Sequence, residues 1–156
     1  VVSPTESIDL AISGLFMDPI YDSFPASSAG DLTGTMPSNI SEDTISSTVT
    51  WNWNTSNWDG YFRLSHLYAS EAKLLENPAW QTILEAAGNG IKTQDTLNFS
   101  AGLNKDNLSI MFWAKNINDD KYLISAFPAV ADPTSSTFFG YPNAYRTYGL
   151  TVNYMF

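Results

Sequence analysis

The 156-residue sequence contains no cysteine, one histidine, and only seven lysines and arginines against sixteen acids. Without cysteine there is no disulfide framework, and the redox compartment leaves no mark on the chain. The few bases and a net charge of −9 argue against nucleic acid as a partner, because neutralising phosphates takes clustered Lys and Arg. No uncharged apolar run approaches the ~18 to 20 residues a membrane helix needs, which excludes a helical membrane protein. A membrane β-barrel is not excluded, since its strands are short and alternating. What the chain has in quantity is apolar surface: 44% of its residues are hydrophobic, among them 5 Trp, 8 Tyr and 9 Phe. It is too apolar for disorder and too long for a miniprotein, so it must bury or embed that surface. It opens on Val1, Val2, Ser3 and Pro4, without Met or a signal peptide, and we expect a processed product or a piece of something longer.

Six segments alternate with period two. The first, Ile8 to Met17, sets Ile8, Leu10, Ile12 and Phe16 against Asp9, Ala11 and Ser13. The second, Thr44 to Trp53, sets Ile45, Val49, Trp51 and Trp53 against threonines, Ser46 and Asn52. The third, Tyr61 to Ala69, places Phe62, Leu64, His66 and Tyr68 opposite Arg63, Ser65 and Leu67. The fourth, Thr96 to Leu103, and the fifth, Leu108 to Lys115, repeat the pattern through Leu97, Phe99, Ala101, Leu103 and then Leu108, Ile110, Phe112, Ala114. The last carries Tyr148, Leu150, Val152, Tyr154 and Phe156 on one side. The expected class is therefore all-β, antiparallel and up-and-down.

Connection lengths alternate too. Asn54 to Gly60 and Asn104 to Asn107 are short and polar, whereas Asp18 to Asp43, Ser70 to Asp95 and Asn116 to Tyr145 each exceed twenty residues. Short turns thus fall at one end of the sheet and long loops at the other, the asymmetry of outer-membrane barrels. The middle loop should hold a short helix: Asn77 can cap it, Pro78 suits its first position, Trp80, Ile83, Leu84 and Ala87 share a face, and Gly88 ends it. The long loops contain twelve of the acids and three bases, which is the whole net charge, and no charge falls on the apolar strand faces.

Residues able to carry chemistry are few. His66 alternates with apolar neighbours, and the adjacent Ser65 points to the opposite face, so a Ser-His pair is not expected there. Asp119 and Asp120 beside Asn116 and Asn118 offer oxygen ligands without the spacing of a calcium loop, and read as solvated strand-end residues. Asp18 and Asp22 lack any feature that would split their pKa values for glycosidase work. No catalytic residue, metal site or cofactor is therefore assigned. Trp51, Trp53 and Trp58 collect beside a short turn, where an interfacial aromatic girdle would lie. Sequons at Asn39, Asn54, Asn98 and Asn107 carry no weight in a bacterial setting. Trp80, Phe138, Phe139, Tyr141 and Tyr145 are loop aromatics that either grip a ligand or pack the loops together.

The run from Gly140 to Phe156, GYPNAYRTYGLTVNYMF, resembles the final strand of TonB-dependent outer-membrane receptors, which ends in a glycine-aromatic loop, an Arg-Thr-Tyr-Gly step and an alternating strand closed by Phe. Trp113 to Tyr122 is similar to that family's penultimate strand, and Asp31 to Pro37 to its Leu-x-Gly-x-x-Leu/Met-Pro loop, with Asp18, Tyr21, Phe24 and Pro25 like the strand end before it. The likeness spans essentially the full chain. Tyr145 and Ile40 depart from it, standing where the family often has Pro.

The resemblance implies a barrel of about 22 strands around a plug, of which this chain would be the C-terminal quarter, with the plug and energy-coupling box elsewhere. It implies a location in the bacterial outer membrane, lipid on the apolar faces, and uptake of a scarce large nutrient, a ferric siderophore above all, energised by TonB. Tyr148, Leu150, Val152, Tyr154 and Phe156 would be the signal read by the barrel-assembly machinery, and Arg63, Ser65, Lys115, Thr151 and Asn153 would face the lumen. The rival reading is a soluble secreted all-β ligand-binding module, a sandwich or lipocalin-like barrel that packs the same apolar faces into its own core. A small autonomous outer-membrane barrel is the third.

Overall fold

The computed structural model describes residues 1–129 and 136–156; residues 130–135, with Asp132 of the acidic loops, lie outside the described residues. Among the described residues nine strands and one helix follow in chain order: β1 (Val2–Thr5), β2 (Ile8–Phe16), β3 (Asp43–Asn54), β4 (Asp59–Lys73), α1 (Pro78–Ala86), β5 (Ile91–Lys105), β6 (Leu108–Lys115), β7 (Leu123–Pro128), β8 (Phe138–Pro142) and β9 (Thr147–Tyr154). Each strand of the main sheet pairs antiparallel with the next, in the order β1-β2-β3-β4-β5-β6-β9, while β7 and β8 form a separate hairpin. The chain is thus mostly antiparallel β. The sheet is open, with β1 and β9 at its edges, so these residues form no closed barrel.

Six alternating segments become a seven-stranded sheet plus a hairpin, and the difference has a cause. Apolar alternation marks only the stretch where one face is apolar, but backbone pairing continues beyond it. The third and fourth segments therefore extend to Lys73 and back to Ile91, through a register shift between Ala69 and Ala72, past the expected limits at Ala69 and Thr96. The short β1 and the β7–β8 hairpin were likewise missed, the latter inside the last long connection. The helix matches expectation in its cap: Asn77 Oδ1 accepts from the Ala79 and Trp80 amides at 3.0 and 3.3 Å. Its buried face differs, since Leu84 is 4% exposed and Gln81 is buried, while Ile83 is 38% exposed and Ala87 lies outside the core. Gln81 is drawn in because its side chain accepts from the Leu75 amide and donates to the Gly90 carbonyl, closing the base of the loop.

Register fixes two unlike faces. The rows Ile8–Trp51–Phe62–Ala101–Phe112–Leu150 and Leu10–Val49–Leu64–Phe99–Ala114–Tyr148 cross six strands on one side. The row Asp9–Thr50–Arg63–Ser100–Trp113–Gly149 lies on the other. Rings run along the apolar face: Trp51 to Phe62 at 5.6 Å, Phe62 to Phe99 at 6.4 Å and Phe99 to Phe112 at 6.3 Å between centroids. Such pairs add about 0.5–1.5 kcal/mol each beyond area burial.

Three cross-strand pairs match an aromatic to a glycine: Trp53 with Gly60, Tyr61 with Gly102, and Trp113 with Gly149. At each glycine a Cβ would overlap the partner's ring, so the missing side chain is what lets the ring lie flat on the neighbouring strand. Gly102→Val should displace the Tyr61 ring and cost about 1–3 kcal/mol, read as a lower unfolding midpoint in detergent, with a smaller loss in a Gly102→Val, Tyr61→Ala double variant because the clash is gone.

Candidate functional site

The long connections, which join β2 to β3, β4 to β5 and β6 to β9, fold on one another at one end of the sheet. Every buried apolar residue among those described belongs to that end: Leu32, Ala72, Leu74, Leu75, Leu84 and Ala126. Trp80, Leu123 and Phe138 pack against the cluster of Leu74, Leu75, Leu84 and Ala126. The loops are also laced by hydrogen bonds, from the Asn39 amide to the Lys73 carbonyl at 2.7 Å and from the Ser38 amide to Glu76 Oε2 at 2.9 Å. Burial opposes ionisation of Glu76, but the Ser38 hydrogen bonds, the Tyr21 hydroxyl and Lys73 outweigh it and hold the carboxyl below its usual range. The same contact raises the Tyr21 phenol, chiefly through its hydrogen bond to Glu76.

The five loop aromatics do not converge on one site. Trp80 and Phe138 are half-buried in the loop cluster. Phe139 and Tyr141 stand exposed on the other side of the hairpin, where Phe127 lies 5.5 and 5.8 Å from them between centroids. Tyr145 is exposed beyond the hairpin. Trp80 has a second environment that the sequence did not reveal: with Phe24, Ala26, Ala29, Leu75 and Glu76 it lines a groove of about 500 Å³. Phe24 and Trp80 are 56 positions apart, so no local pattern joins them.

Asn116 and Asp120 are more than solvated strand-end residues. Asn116 is 3% exposed; its Nδ2 donates to the Asp120 and Ala144 carbonyls at 2.9 and 3.0 Å, and its Oδ1 accepts from the Asp120 amide at 2.8 Å. Asn143, also buried, donates to the Asp120 carbonyl at 2.8 Å and accepts from the Tyr122 amide at 3.1 Å. Asp120 and Asn118 side chains accept from the Asp95 and Leu97 amides, so this segment takes over the pairing of β5 where β6 has ended. Asp119 stays outside, its carboxyl lowered by Lys121 first and Arg146 after it.

His66 Nε2 meets Asp95 Oδ1 at 2.6 Å on the apolar face, which corrects the expectation that this face carries no charge: β5 reaches back to Ile91, and its register sets Asp95 opposite Tyr68 at the long-loop end. Ser65 is on the opposite face, and although Ser47 stands across from His66 in register, no hydrogen bond joins them, so a nucleophile-base pair is not assembled. Asp18 and Asp22 are exposed in the first long connection. No group of three or more His, Asp or Glu among the described residues is close enough to hold a metal. On β9, Tyr148, Leu150, Val152 and Tyr154 all project outward on the apolar face at an open edge, with Phe156 beyond them fully exposed.

No protein-family model, no curated protein and no solved structure matches the chain.

Two outcomes follow from the loop geometry. Asn116→Ala leaves the Asp120 amide without its acceptor and should cost about 1–3 kcal/mol, measured by thermal unfolding, against a negligible change for the exposed Asn57→Ala. Because the folded pKa of Glu76 lies below its unfolded value, its contribution is complete above the ordinary carboxylate range and is lost as pH falls through the folded pKa. Trp80 fluorescence should therefore shift on acidification, and Glu76→Gln should flatten that response.

Proposed function

We propose that this chain is the C-terminal β-barrel portion of a TonB-dependent outer-membrane receptor, which moves a scarce large nutrient across the bacterial outer membrane, a ferric siderophore being the cargo the resemblance implies. The observation that carries this reading is the apolar face of the sheet, which no second layer among the described residues covers. Ile12, Val49, Phe62, Leu64, Phe112, Leu150 and Val152 all lie open on it, Leu150 at 66% and Phe62 at 41% exposure. A soluble sandwich would bury such a face under a second sheet, and a monomer in water rarely leaves a contiguous patch of this extent. Lipid accepts it without penalty.

The dimensions and margins agree with lipid. From Ile45 to Trp53 on β3 the band spans eight steps, about 26 Å along a strand at ~3.3 Å per residue, or roughly 20 Å upright at a tilt near 40° before the reach of the terminal side chains. Aromatics mark both margins, with Tyr68, Tyr148 and Phe16 toward the long loops and Trp51, Trp53, Tyr154 and Phe156 toward the short turns. Trp58 stands in a short turn, the Lys105 ammonium 5.6 Å from its ring centroid. The connections at that end are Glu6–Ser7, residues 55–58 and Asp106–Asn107, the last helped by a positive φ of 47° at Asp106. All three packed, acidic connections lie at the opposite end, as capture loops would.

In this reading the open edges of β1 and β9 meet the remaining strands of the barrel, the loop cluster receives the nutrient, and the C-terminal aromatics address the chain to the assembly machinery. The direct test is the intact mass and N-terminal sequence of the mature protein purified from the membrane fraction. A mass several times that of 156 residues, with a plug-like sequence upstream of Val1, supports the receptor; a mature 156-residue protein in a detergent-free soluble fraction contradicts it. Within the sheet, Leu64→Arg should cost about 2–4 kcal/mol in a bilayer, while Ser65→Arg next to it on the polar face should change folding little, both measured by urea titration in lipid vesicles.

A further inference from the structure

The polar face carries two cations mounted alike. The Tyr61 ring of β4 lies in the notch left by Gly102 of β5, and Arg63, two residues along on the same face, holds its guanidinium carbon 5.7 Å from the centroid of that ring. The Trp113 ring of β6 lies in the notch left by Gly149 of β9, and the Lys115 ammonium sits 5.6 Å from its centroid. Arg63 is fixed again by Nε, which donates to the Oγ1 of buried Thr50 at 3.2 Å. Neither cation has a carboxylate partner among the described residues, whose ion pairs are His66 with Asp95 and Lys121 with Asp119. The acid in Arg63's own cross-strand row, Asp9, is occupied by the Ser3 hydroxyl at 2.7 Å and the Asn52 amide at 3.0 Å. A chain with sixteen acids and seven bases has no shortage of carboxylates, so two unpaired bases on one wall are a property of that wall.

Between them opens a cavity of about 440 Å³, lined by Ser65, Asn98 and Ser100 as well as by Arg63, Trp113 and Lys115. We propose that this cavity is an oxyanion site, in which Arg63 and Lys115 bracket a carboxylate of a small organic acid while the hydroxyls and the amide meet its other polar groups. Stacking holds a cation in place without neutralising it, and the free end of the guanidinium keeps the planar fork that matches a carboxylate. Much of the side-chain entropy that binding would cost is already lost on the two rings. The lining has no helix N-terminus or amide nest of the kind that favours a phosphate. The acidic loops do not cancel the site at Arg63: the sheet row of Asp95 and Tyr68 is five residues away, about 16 Å along the strand and beyond the ~8–10 Å screening length. The site stands on the polar face alone, whether the opposite face meets lipid or water.

The test is calorimetric titration of the chain folded in detergent micelles, its β-structure checked by circular dichroism, with tricarballylate, inorganic phosphate and glycerol as probes. Tricarballylate should bind saturably, more tightly than phosphate, and weaken with added salt, while glycerol gives no heat. Arg63→Gln and Lys115→Gln should each weaken tricarballylate about tenfold or more, Arg63→Lys less than that, and Lys105→Gln, at the short-turn end, not at all. Tyr61→Leu keeps both charges but frees Arg63, and should weaken binding several-fold. Equal affinity in the wild type and an Arg63→Gln, Lys115→Gln double variant would overturn the proposal, as would phosphate binding as tightly as tricarballylate, or no saturable binding tighter than about 10 mM in the folded wild type.

Discussion

One face of a seven-stranded sheet carries a continuous field of Ile, Leu, Val, Phe, Trp and Tyr, and nothing else in the described chain lies over it. Water would oppose that exposure at roughly 25 cal/mol per Å², so the sheet requires an apolar medium or another layer. The remaining features follow from this constraint. Most polar residues of the strands are driven to the opposite face by the pleat, Ser47, His66 and Asp95 being exceptions toward the long loops. The aromatics with a polar edge on the apolar face gather at the two margins, and the acidic charge collects in the connections and strand ends at one end. The buried core is correspondingly small and sits in those connections, around Leu74, Leu75, Leu84 and Ala126.

The loop end gains its order from long-range hydrogen bonds as much as from apolar packing. Glu76, Asn116 and Asn143 each satisfy backbone groups that irregular chain would otherwise leave open, and each ties together segments far apart in sequence. Asn116 does so at the point where β6 ends, so the start of β9 and the turn after β6 are held as one unit. In the proposed receptor these ties would keep the capture loops poised above the wall.

Much of the sheet was legible in the sequence because a strand with one apolar face writes its period into the residue order. Val49, Trp51, Phe62, Leu64, Phe112 and Leu150 all fall on the face that alternation assigned them. Legibility stopped where pairing involves polar residues, as at Gln94 and Lys92, and where a short strand sits inside a long connection, as in the β7–β8 hairpin. The cap at Asn77 was readable from two adjacent residues, whereas burial of Gln81 depends on the Leu75 amide and the Gly90 carbonyl, which no helical pattern encodes. Trp80 and Phe138 were expected either to pack or to bind; their contacts with the loop cluster and the groove shared with Phe24 arise from segments that meet only in three dimensions. The glycine notches were hidden for the same reason, since Gly102 and Tyr61 become neighbours only through register.

The absence of cysteine from the sequence makes the central claim directly measurable. Single cysteines placed in turn at positions 61 to 68 of β4 and spin-labelled in a lipid bilayer report collisions with oxygen, which concentrates in lipid, and with a water-soluble nickel complex. The account predicts strict alternation, with oxygen access at 62 and 64 and nickel access at 63 and 65. Nickel access at every position, or protection from both reagents at 62 and 64, would mean that the apolar face meets water or protein instead of lipid, and would contradict it.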